Sequence, residues 1–125
     1  MINKENLNIL IVEDDKVLSL LLSKMVERLS HSVVGTATKG QVAITSAKEL
    51  NPDLILMDIM LEDNIDGIEA VLELQKLNYN IPVIFITGNS DNYNKTRAEA
   101  TNYVDYLIKP INFEELKSSI DKVYT

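Results

Sequence analysis

The sequence predicts an α/β fold in which a parallel sheet lies between layers of helices, and three observations support this prediction. Five short apolar segments alternate with five segments whose apolar residues recur at helical spacing. Each strand and helix pair takes up roughly 20 to 28 residues, which suits short right-handed crossovers between parallel strands. The central strand, at residues 53–57, ends in four consecutive apolar residues, as expected for a strand buried on both faces of a sheet.

Length and composition predict one compact domain over residues 1–125. A chain of 125 residues can bury roughly two-thirds of its unfolded surface in a single core. No apolar run approaches the ~20 residues that cross a bilayer, and no basic, apolar leader precedes the first predicted strand. The absence of cysteine excludes disulfides, a thiolate metal site and a cysteine nucleophile. We therefore expect a cytoplasmic domain that does not insert into a membrane.

The net charge of −7 argues against direct nucleic-acid binding, because that interaction depends on lysines and arginines that neutralise phosphates. Proteins and cations are the expected partners. Most of the acids are expected to form a solubilising surface, so the functional ones must be identified by their positions.

Three consecutive acids follow the first predicted strand, residues 7–12. Asp15 is placed to cap the next helix, since apolar residues then recur at helical spacing. A cap needs one side chain, so Glu13 and Asp14 remain as adjacent like charges. They repel each other unless a cation or a basic residue lies between them. The apolar positions of this helix are Leu18, Leu21, Leu22, Met25, Val26 and Leu29.

The second strand is predicted at Ser32–Ala37. Thr38 and Gln41 have the spacing of a capping box for the helix that follows. His31 precedes the strand and is expected to be an ordinary loop residue. The apolar residues of the second helix are Ala43, Ala47 and Leu50.

Asp58 directly follows the central strand. Open parallel α/β sheets place their chemistry at the carboxyl ends of strands, next to the loops that lead into helices. Taken by itself, Asp58 is equally well interpreted as a turn acid that ends the strand. Capping boxes are predicted at Asp66 with Glu69 for the third helix and at Asn112 with Glu115 for the fifth.

Two further strands complete the pattern. Residues 81–87 form the fourth strand and end in Thr87, and residues 103–108 form the fifth, which Lys109 follows. Residues 91–102 lie between them and form only a weakly amphipathic helix, which is expected to be the most mobile one. Its thin apolar face consists of Tyr93, Ala98 and Ala100.

The polar residues at four strand ends form a chemically complete set. Glu13, Asp14, Asp58, Thr87 and Lys109 follow or end strands one, three, four and five, so they are expected to converge on one edge of the sheet. The glycine-rich loops that cradle nucleotide phosphates, GxGxxG and GxxxxGK[ST], do not occur in the sequence.

Four motifs resemble the receiver domain of two-component response regulators: ILIVEDD, LILMDIML, FITG and YLIKP. The resemblance covers essentially the whole chain. It implies a flavodoxin-like (βα)5 doubly wound sandwich, with a five-stranded parallel sheet of order 2-1-3-4-5 and helices on both faces. It leaves open whether the chain is a complete single-domain regulator or a receiver from a larger regulator or hybrid kinase.

The resemblance also implies a site. Asp58 would be the nucleophile that takes a phosphoryl group from a histidine kinase or a histidine phosphotransfer protein. Glu13 and Asp14 would hold Mg²⁺, or Mn²⁺ in its place, together with Asp58 and the backbone carbonyl of Met60. Lys109 would pair with Asp58 and then with the phosphoryl oxygens. Such a domain is not a stand-alone enzyme, although it catalyses its own phosphorylation and slow autodephosphorylation.

The remaining implied roles concern switching and signal lifetime. Thr87 would donate its hydroxyl to the phosphoryl oxygens and Tyr106 would change rotamer with it. Met60 and Asn89 would flank the phosphoryl group and set the rate of its hydrolysis. The weak helix, the fifth strand and the last helix would form the output face, which contacts a downstream protein or a fused output domain, or forms a phosphorylation-dependent dimer.

The sequence departs from the usual receiver pattern after Asp58. Glu62 stands where the family usually has a proline, and Asp66-Gly67 comes one residue late, so a longer and more acidic loop is expected. Gly88 replaces the usual alanine after the threonine.

Two other functions remain open from the sequence. The first is a degenerate receiver that binds partners without phosphorylation, which the intact set of five strand-end residues disfavours. The second is a small aspartate-nucleophile phosphatase, which usually has a second aspartate two residues after the nucleophile. Met60 occupies that position.

Overall fold

The computed structural model describes residues 6–88 and 92–124, in which five strands alternate with five α-helices. The strands are β1 (Asn8–Val12), β2 (Ser32–Ala37), β3 (Leu54–Met57), β4 (Val83–Thr87) and β5 (Asp105–Ile108). The helices are α1 (Lys16–Arg28), α2 (Gly40–Leu50), α3 (Gly67–Lys76), α4 (Asn92–Glu99) and α5 (Phe113–Asp121), and a 3₁₀ turn follows at Lys122–Tyr124.

All four strand pairings are parallel, and the sheet order is β2-β1-β3-β4-β5. The predicted fold class is therefore confirmed. Predicted and observed bounds agree for β2, whereas the other strands begin one or two residues later than predicted. In β4 the reason is Pro82, which has no N–H to donate and contributes only its carbonyl, to the N–H of Ile55 at 2.9 Å.

The sheet separates two apolar cores, because successive side chains of each strand point to opposite faces. In β1, Leu10 and Val12 contact the core under α2, α3 and α4, whereas Ile9 and Ile11 contact the core under α1 and α5. The strands β3 and β4 are buried throughout. Burial on both faces explains the unbroken apolar runs in the sequence.

Three helix caps lie where the sequence predicts them. The carboxylate of Asp15 accepts from the N–H groups of Val17 and Leu18 at the start of α1. Asp66 with Glu69, and Asn112 with Glu115, form complete capping boxes at α3 and α5. Each cap satisfies N–H groups that the helix itself leaves without an acceptor.

The predicted cap of α2 is wrong. The N-cap residue is Lys39, whose side chain makes no capping hydrogen bond. Instead, the carboxylate of Asp63 accepts from the N–H groups of Gly40 at 2.7 Å and Gln41 at 3.0 Å. A side chain at Gly40 would place a Cβ only 2.4 Å from the carbonyl oxygen of Ile65, so glycine is what lets the acidic loop approach this helix.

His31 and helix α4 differ from expectation. His31 is more than a loop residue, because its Nδ1 accepts a hydrogen bond from the N–H of Leu7 at 3.0 Å. In α4 only Ala98 of the predicted apolar face is buried, while Tyr93 is 73% exposed. The helix therefore has even less apolar contact than its sequence suggests.

Among the helices in the described ranges, none combines the length and the apolar character that crossing a bilayer requires.

Replacement of Asp63 by alanine is expected to lower the urea midpoint of unfolding, because two N–H groups of α2 lose their acceptor. Hydrogen bonds from the N–H of Gln41, together with that of Gly40, hold the pKa of Asp63 below its ordinary value of 3.8. This stabilisation is present above pH 3.8 and is lost as the pH falls through the lower pKa of the folded state.

The difference between wild type and Asp63→Ala should therefore shrink below pH 3.8. Glu62→Ala, which alters the exposed neighbour, is the matched control. Equal effects of the two substitutions at pH 7 would contradict the capping role.

Candidate functional site

The polar strand-end residues meet at the carboxyl edge of the sheet. Glu13 follows β1, Asp58 follows β3, Thr87 ends β4 and Lys109 follows β5. The order of the strands places β1, β3, β4 and β5 side by side. Their four ends therefore lie next to one another on one edge of the sheet, as the strand positions in the sequence predict.

Lys109 connects two buried carboxylates. Its Nζ donates to Asp58 Oδ2 at 3.0 Å and lies 2.9 Å from Glu13 Oε1. Glu13 is 1% exposed and Asp58 is 3% exposed. The N–H of Lys109 also donates to the carbonyl of Thr87 at 2.8 Å, and the Lys109–Pro110 peptide is cis.

The electrostatics follow from burial and from the proximity of like charges. Burial raises the pKa of Glu13, and the neighbouring Asp58 adds to this effect. Burial and the adjacent Glu13 likewise raise the pKa of Asp14. Burial alone would lower the pKa of Lys109, but its interactions with Glu13 and Asp58 outweigh burial and raise it. Lys109 therefore remains an ammonium ion at neutral pH.

One ammonium group does not neutralise all the carboxylates at this edge or pair with all their oxygens. Glu13 Oε2 accepts from the N–H of Asp15 at 3.0 Å, whereas Glu13 Oε1 is buried and has only the ion pair with Lys109, without a well-directed hydrogen bond. One oxygen from each of Glu13, Asp14 and Asp58 lies within 4.8 Å of the others. Carboxylate oxygens in such a group are the ligands that a small hard cation such as Mg²⁺ prefers. The residues present therefore fit this ion.

Asp58 is packed directly against the start of α3. A Cβ on Gly67 would lie 2.0 Å from the carbonyl oxygen of Asp58 and 2.8 Å from Met57 Cγ. The N–H of Gly67 also donates to the carbonyl of Ile59 at 2.8 Å. Helix α3 therefore begins against the backbone of Asp58, and the greater length of the loop relative to the family pattern stays a prediction.

The acidic loop at residues 59–66 is attached to three helices. The N–H of Glu62 donates to the carbonyl of Thr38 at 3.2 Å, next to the Asp63 cap of α2. Asp66 caps α3 and also forms a 2.9 Å ion pair with Arg97 of α4.

The remaining predicted site residues lie around this centre. The side chain of Met60 is 65% exposed, and Thr87 is buried at the end of β4. Tyr106 on β5 is half-buried, with its ring centroid 6.2 Å from that of Phe85 and 5.7 Å from that of Tyr103. Asn89 lies outside the described residues, and its role stays a prediction.

The chain from residue 9 to residue 121 matches the family described as the response regulator receiver domain. The chain belongs to this family. Receiver domains are phosphoacceptor signalling domains of two-component systems, they work with a histidine kinase or phosphotransfer protein, and they bind Mg²⁺ at an acidic pocket.

Known receivers are similar over almost the whole chain. The transcriptional regulatory protein ZraR of Escherichia coli is 32% identical over 118 residues, which cover 94% of this chain and 26% of that protein. The chemotaxis protein CheY of Thermotoga maritima is 28% identical over 115 residues, covering 92% of this chain and 95% of that protein.

A solved receiver structure shows the same fold. The signal receiver domain of a modulated diguanylate cyclase from Desulfovibrio desulfuricans G20 has a TM-score of 0.86 at 36% identity, covering 94% of this chain and 92% of that chain. The receiver described here spans about half the length, or less, of several curated relatives that it matches.

Sequence reasoning missed an apolar surface beside the receiver site. Val17, Leu20 and Leu21 of α1 are 79%, 61% and 47% exposed, although Leu21 belongs to the apolar positions at helical spacing. The helical period identifies an apolar stripe, but a run of three leucines is wider than the stripe that a helix buries. A groove of about 390 Å³ lies next to these side chains. It is lined by Asp15, Val17, Leu18, Leu21, Lys109, Pro110 and Ile111.

Gly67→Ala is expected to destabilise the receiver by about 1 to 3 kcal/mol, because the new methyl group overlaps the backbone of Asp58 and something must shift. Urea unfolding measures the change. Gly88→Ala is the matched control, since the nearest atom to its Cβ among the described residues would be Lys109 Cδ at 4.0 Å. A loss of stability in Gly88→Ala as large as in Gly67→Ala would contradict the close approach as the cause.

Proposed function

We propose that this receiver is a phosphoacceptor switch in which Asp58 takes a phosphoryl group from the histidine of a kinase or of a phosphotransfer protein. The observation that carries the proposal is the Lys109 ammonium, which bridges the buried carboxylates of Asp58 and Glu13. A buried carboxylate that is paired with an ammonium group at an open sheet edge is suited to act as a nucleophile.

The transfer requires positioning and charge neutralisation more than a general base. An oxygen of Asp58 attacks the phosphorus atom while the phosphorus–nitrogen bond breaks in line with it. The electron pair of that bond returns to the imidazole nitrogen of the donor. Lys109 then pairs with a phosphoryl oxygen, and Thr87 donates its hydroxyl to another.

A divalent cation completes the charge balance. Glu13, Asp14, Asp58 and the backbone carbonyl of Met60 would hold Mg²⁺, or Mn²⁺ in its place. When bound there, the cation would supply positive charge beside the phosphoryl oxygens. With Lys109 alone, three carboxylates and a phosphoryl group would share one positive side chain.

The exposed face of α1 supports a protein phosphodonor. Val17, Leu20 and Leu21 continue into the groove that Lys109 and Pro110 line, so an apolar surface adjoins the nucleophile. A histidine on an amphipathic helix could reach Asp58 while the apolar side of that helix covers these residues.

The signal is proposed to leave through α4, β5 and α5. Thr87 and Tyr106 lie on adjacent strands, so a movement of the threonine towards the phosphoryl group opens space that the tyrosine ring can fill. The receiver of a cytoplasmic regulator would pass this change to a downstream protein, a fused output domain or a second copy in a phosphorylation-dependent dimer. The net charge disfavours direct contact with nucleic acid.

Phosphorylation with a small phosphodonor tests this function. With acetyl phosphate and Mg²⁺ the wild type should take up one phosphoryl group per chain, and Asp58→Asn should take up none. Removal of the cation with a chelator should also prevent uptake. Lys109→Ala should still be labelled but should no longer alter amide exchange along α4, β5 and α5.

Asp53→Asn is the matched control, because Asp53 lies at the amino end of β3, opposite Asp58, and should be labelled normally. Labelling of Asp58→Asn at an acyl phosphate would show that the nucleophile is another residue. Absence of labelling in the wild type would indicate a degenerate receiver, and continuous turnover would indicate a phosphatase.

The phosphorylated state is expected to last many minutes rather than seconds. Met60 is apolar and lies exposed two residues after Asp58, so it should crowd water out rather than orient it. Asn89 could hold a water molecule, but an amide cannot accept a proton as a carboxylate does. Met60→Asn should accelerate phosphate release about 10- to 100-fold, which corresponds to lowering the activation barrier of hydrolysis by roughly 1.4 to 2.7 kcal/mol.

Phosphate release in excess Mg²⁺ measures this lifetime. Leu77→Asn changes an equally apolar, exposed residue at the opposite end of α3 and should leave the rate unchanged. Equal rates for the wild type and Met60→Asn would remove the shielding role of Met60.

A further inference from the structure

Helix α4 buries little apolar surface against the rest of the described receiver. Of the residues described in α4, only Ala98 is buried, and Tyr93 projects into solvent. A helix with so little buried apolar surface gains little stability from tertiary packing. The position of α4 therefore depends strongly on its polar contacts with the rest of the receiver.

Arg97 makes such a contact. Its Nη2 lies 2.9 Å from Asp66 Oδ2, and its Nη1 donates to Asn94 Oδ1 at 2.9 Å. The guanidinium also lies over the ring of Tyr93, 5.6 Å from the centroid. These contacts fix the orientation of the guanidinium before it reaches Asp66, which reduces the entropy cost of the ion pair.

Asp66 performs two tasks with its two carboxylate oxygens. Oδ1 accepts from the N–H of Glu69 at 2.8 Å and caps α3, while Oδ2 pairs with Arg97. The capping box keeps the carboxylate in place. The next residue, Gly67, packs against the carbonyl of Asp58. The contacts thus run from the phosphoacceptor backbone through the first turn of α3 to α4.

We propose that Arg97 is a positioning residue, and that the Arg97–Asp66 ion pair links the covalent state of Asp58 to the position of α4. This inference rests on the proposed function, which it extends from the site to its regulation. Residues 88–91 connect α4 to Thr87 along the chain, and the ion pair connects it to the loop after Asp58. The helix is therefore attached to the segments that follow both Asp58 and Thr87. By thermodynamic linkage, if phosphorylation changes the position of α4, the position of α4 also changes the stability of the phosphorylated state.

The first experiment measures amide hydrogen exchange of α4 in the protein without metal or phosphodonor. Arg97→Gln removes the cation, and Asp66→Asn removes the anion but keeps an oxygen that can cap α3. Each should accelerate exchange in Asn92–Glu99 about two- to fivefold, as expected for a partly exposed ion pair. Arg97→Lys should restore part of the protection.

A double variant and a second ion pair serve as controls. Arg97→Gln combined with Asp66→Asn should exchange no faster than Arg97→Gln alone, because the ion pair is already lost in that variant. Lys122→Gln breaks a pair of equal length, between Lys122 and Asp105, and should leave α4 unchanged. Additive effects in the double variant, or no effect of Asp66→Asn, would overturn the proposal.

The second experiment measures coupling with beryllofluoride and Mg²⁺, which imitate a phosphoryl group on a carboxylate. Binding should change α4 exchange in the wild type, and Arg97→Gln should retain binding but lose at least half of that change. An equal change in both proteins would overturn the coupling.

The two experiments separate the inference from the proposed function. If beryllofluoride fails to bind the wild type, or binds Asp58→Asn equally well, the proposed function fails and the link to Asp58 fails with it. The exchange data without ligand would still show whether the ion pair holds α4.

Discussion

The structure of the site depends on the repulsion among three carboxylates at one sheet edge. Glu13 and Asp58 are almost fully buried, and buried like charges are stable only with compensating positive charge. Lys109 supplies it from the end of β5, while the carbonyl of Thr87 holds the backbone of the lysine. One ammonium group thereby joins the carboxyl ends of β1, β3 and β5. Any cation or phosphoryl group that enters must redistribute that charge, so the chemistry at Asp58 cannot be separated from the arrangement of the strands.

The loop after Asp58 shows how acidic residues with similar sequence environments acquire different tasks. Asp63 satisfies the first N–H groups of α2, while Asp66 caps α3 and pairs with Arg97 of α4. A more acidic loop is therefore not simply a solvated surface. Its charges lie at helix N-termini, where the partial positive charge of the helix favours them, and the loop becomes the junction of three helices on one face of the sheet.

Local patterns in the sequence were sufficient to predict the fold class, and the family resemblance implied the strand order. The caps at Asp15, Asp66 and Asn112 were also predictable, because a cap and its helix lie within a few residues of each other. The position of the Lys109 ammonium follows from the meeting of parallel strand ends. The Asp63 cap of α2 was not predictable in this way, since its partners at Gly40 and Gln41 are more than twenty residues away. Leu21 shows a second limit. Helical periodicity gives a direction for each side chain, but it does not tell which apolar positions a neighbouring helix covers.

The contact between Gly67 and Asp58 has a consequence for how related chains can diverge. Because α3 begins against the backbone of Asp58, both ends of the segment between them are fixed in space, and an inserted residue would lengthen the loop without moving its ends. Length changes there would alter the surface presented to other proteins, while the carboxylate of Asp58 would stay in place. Gly67 is then the fixed boundary between a loop that can change in length and the residue that precedes it in space, Asp58.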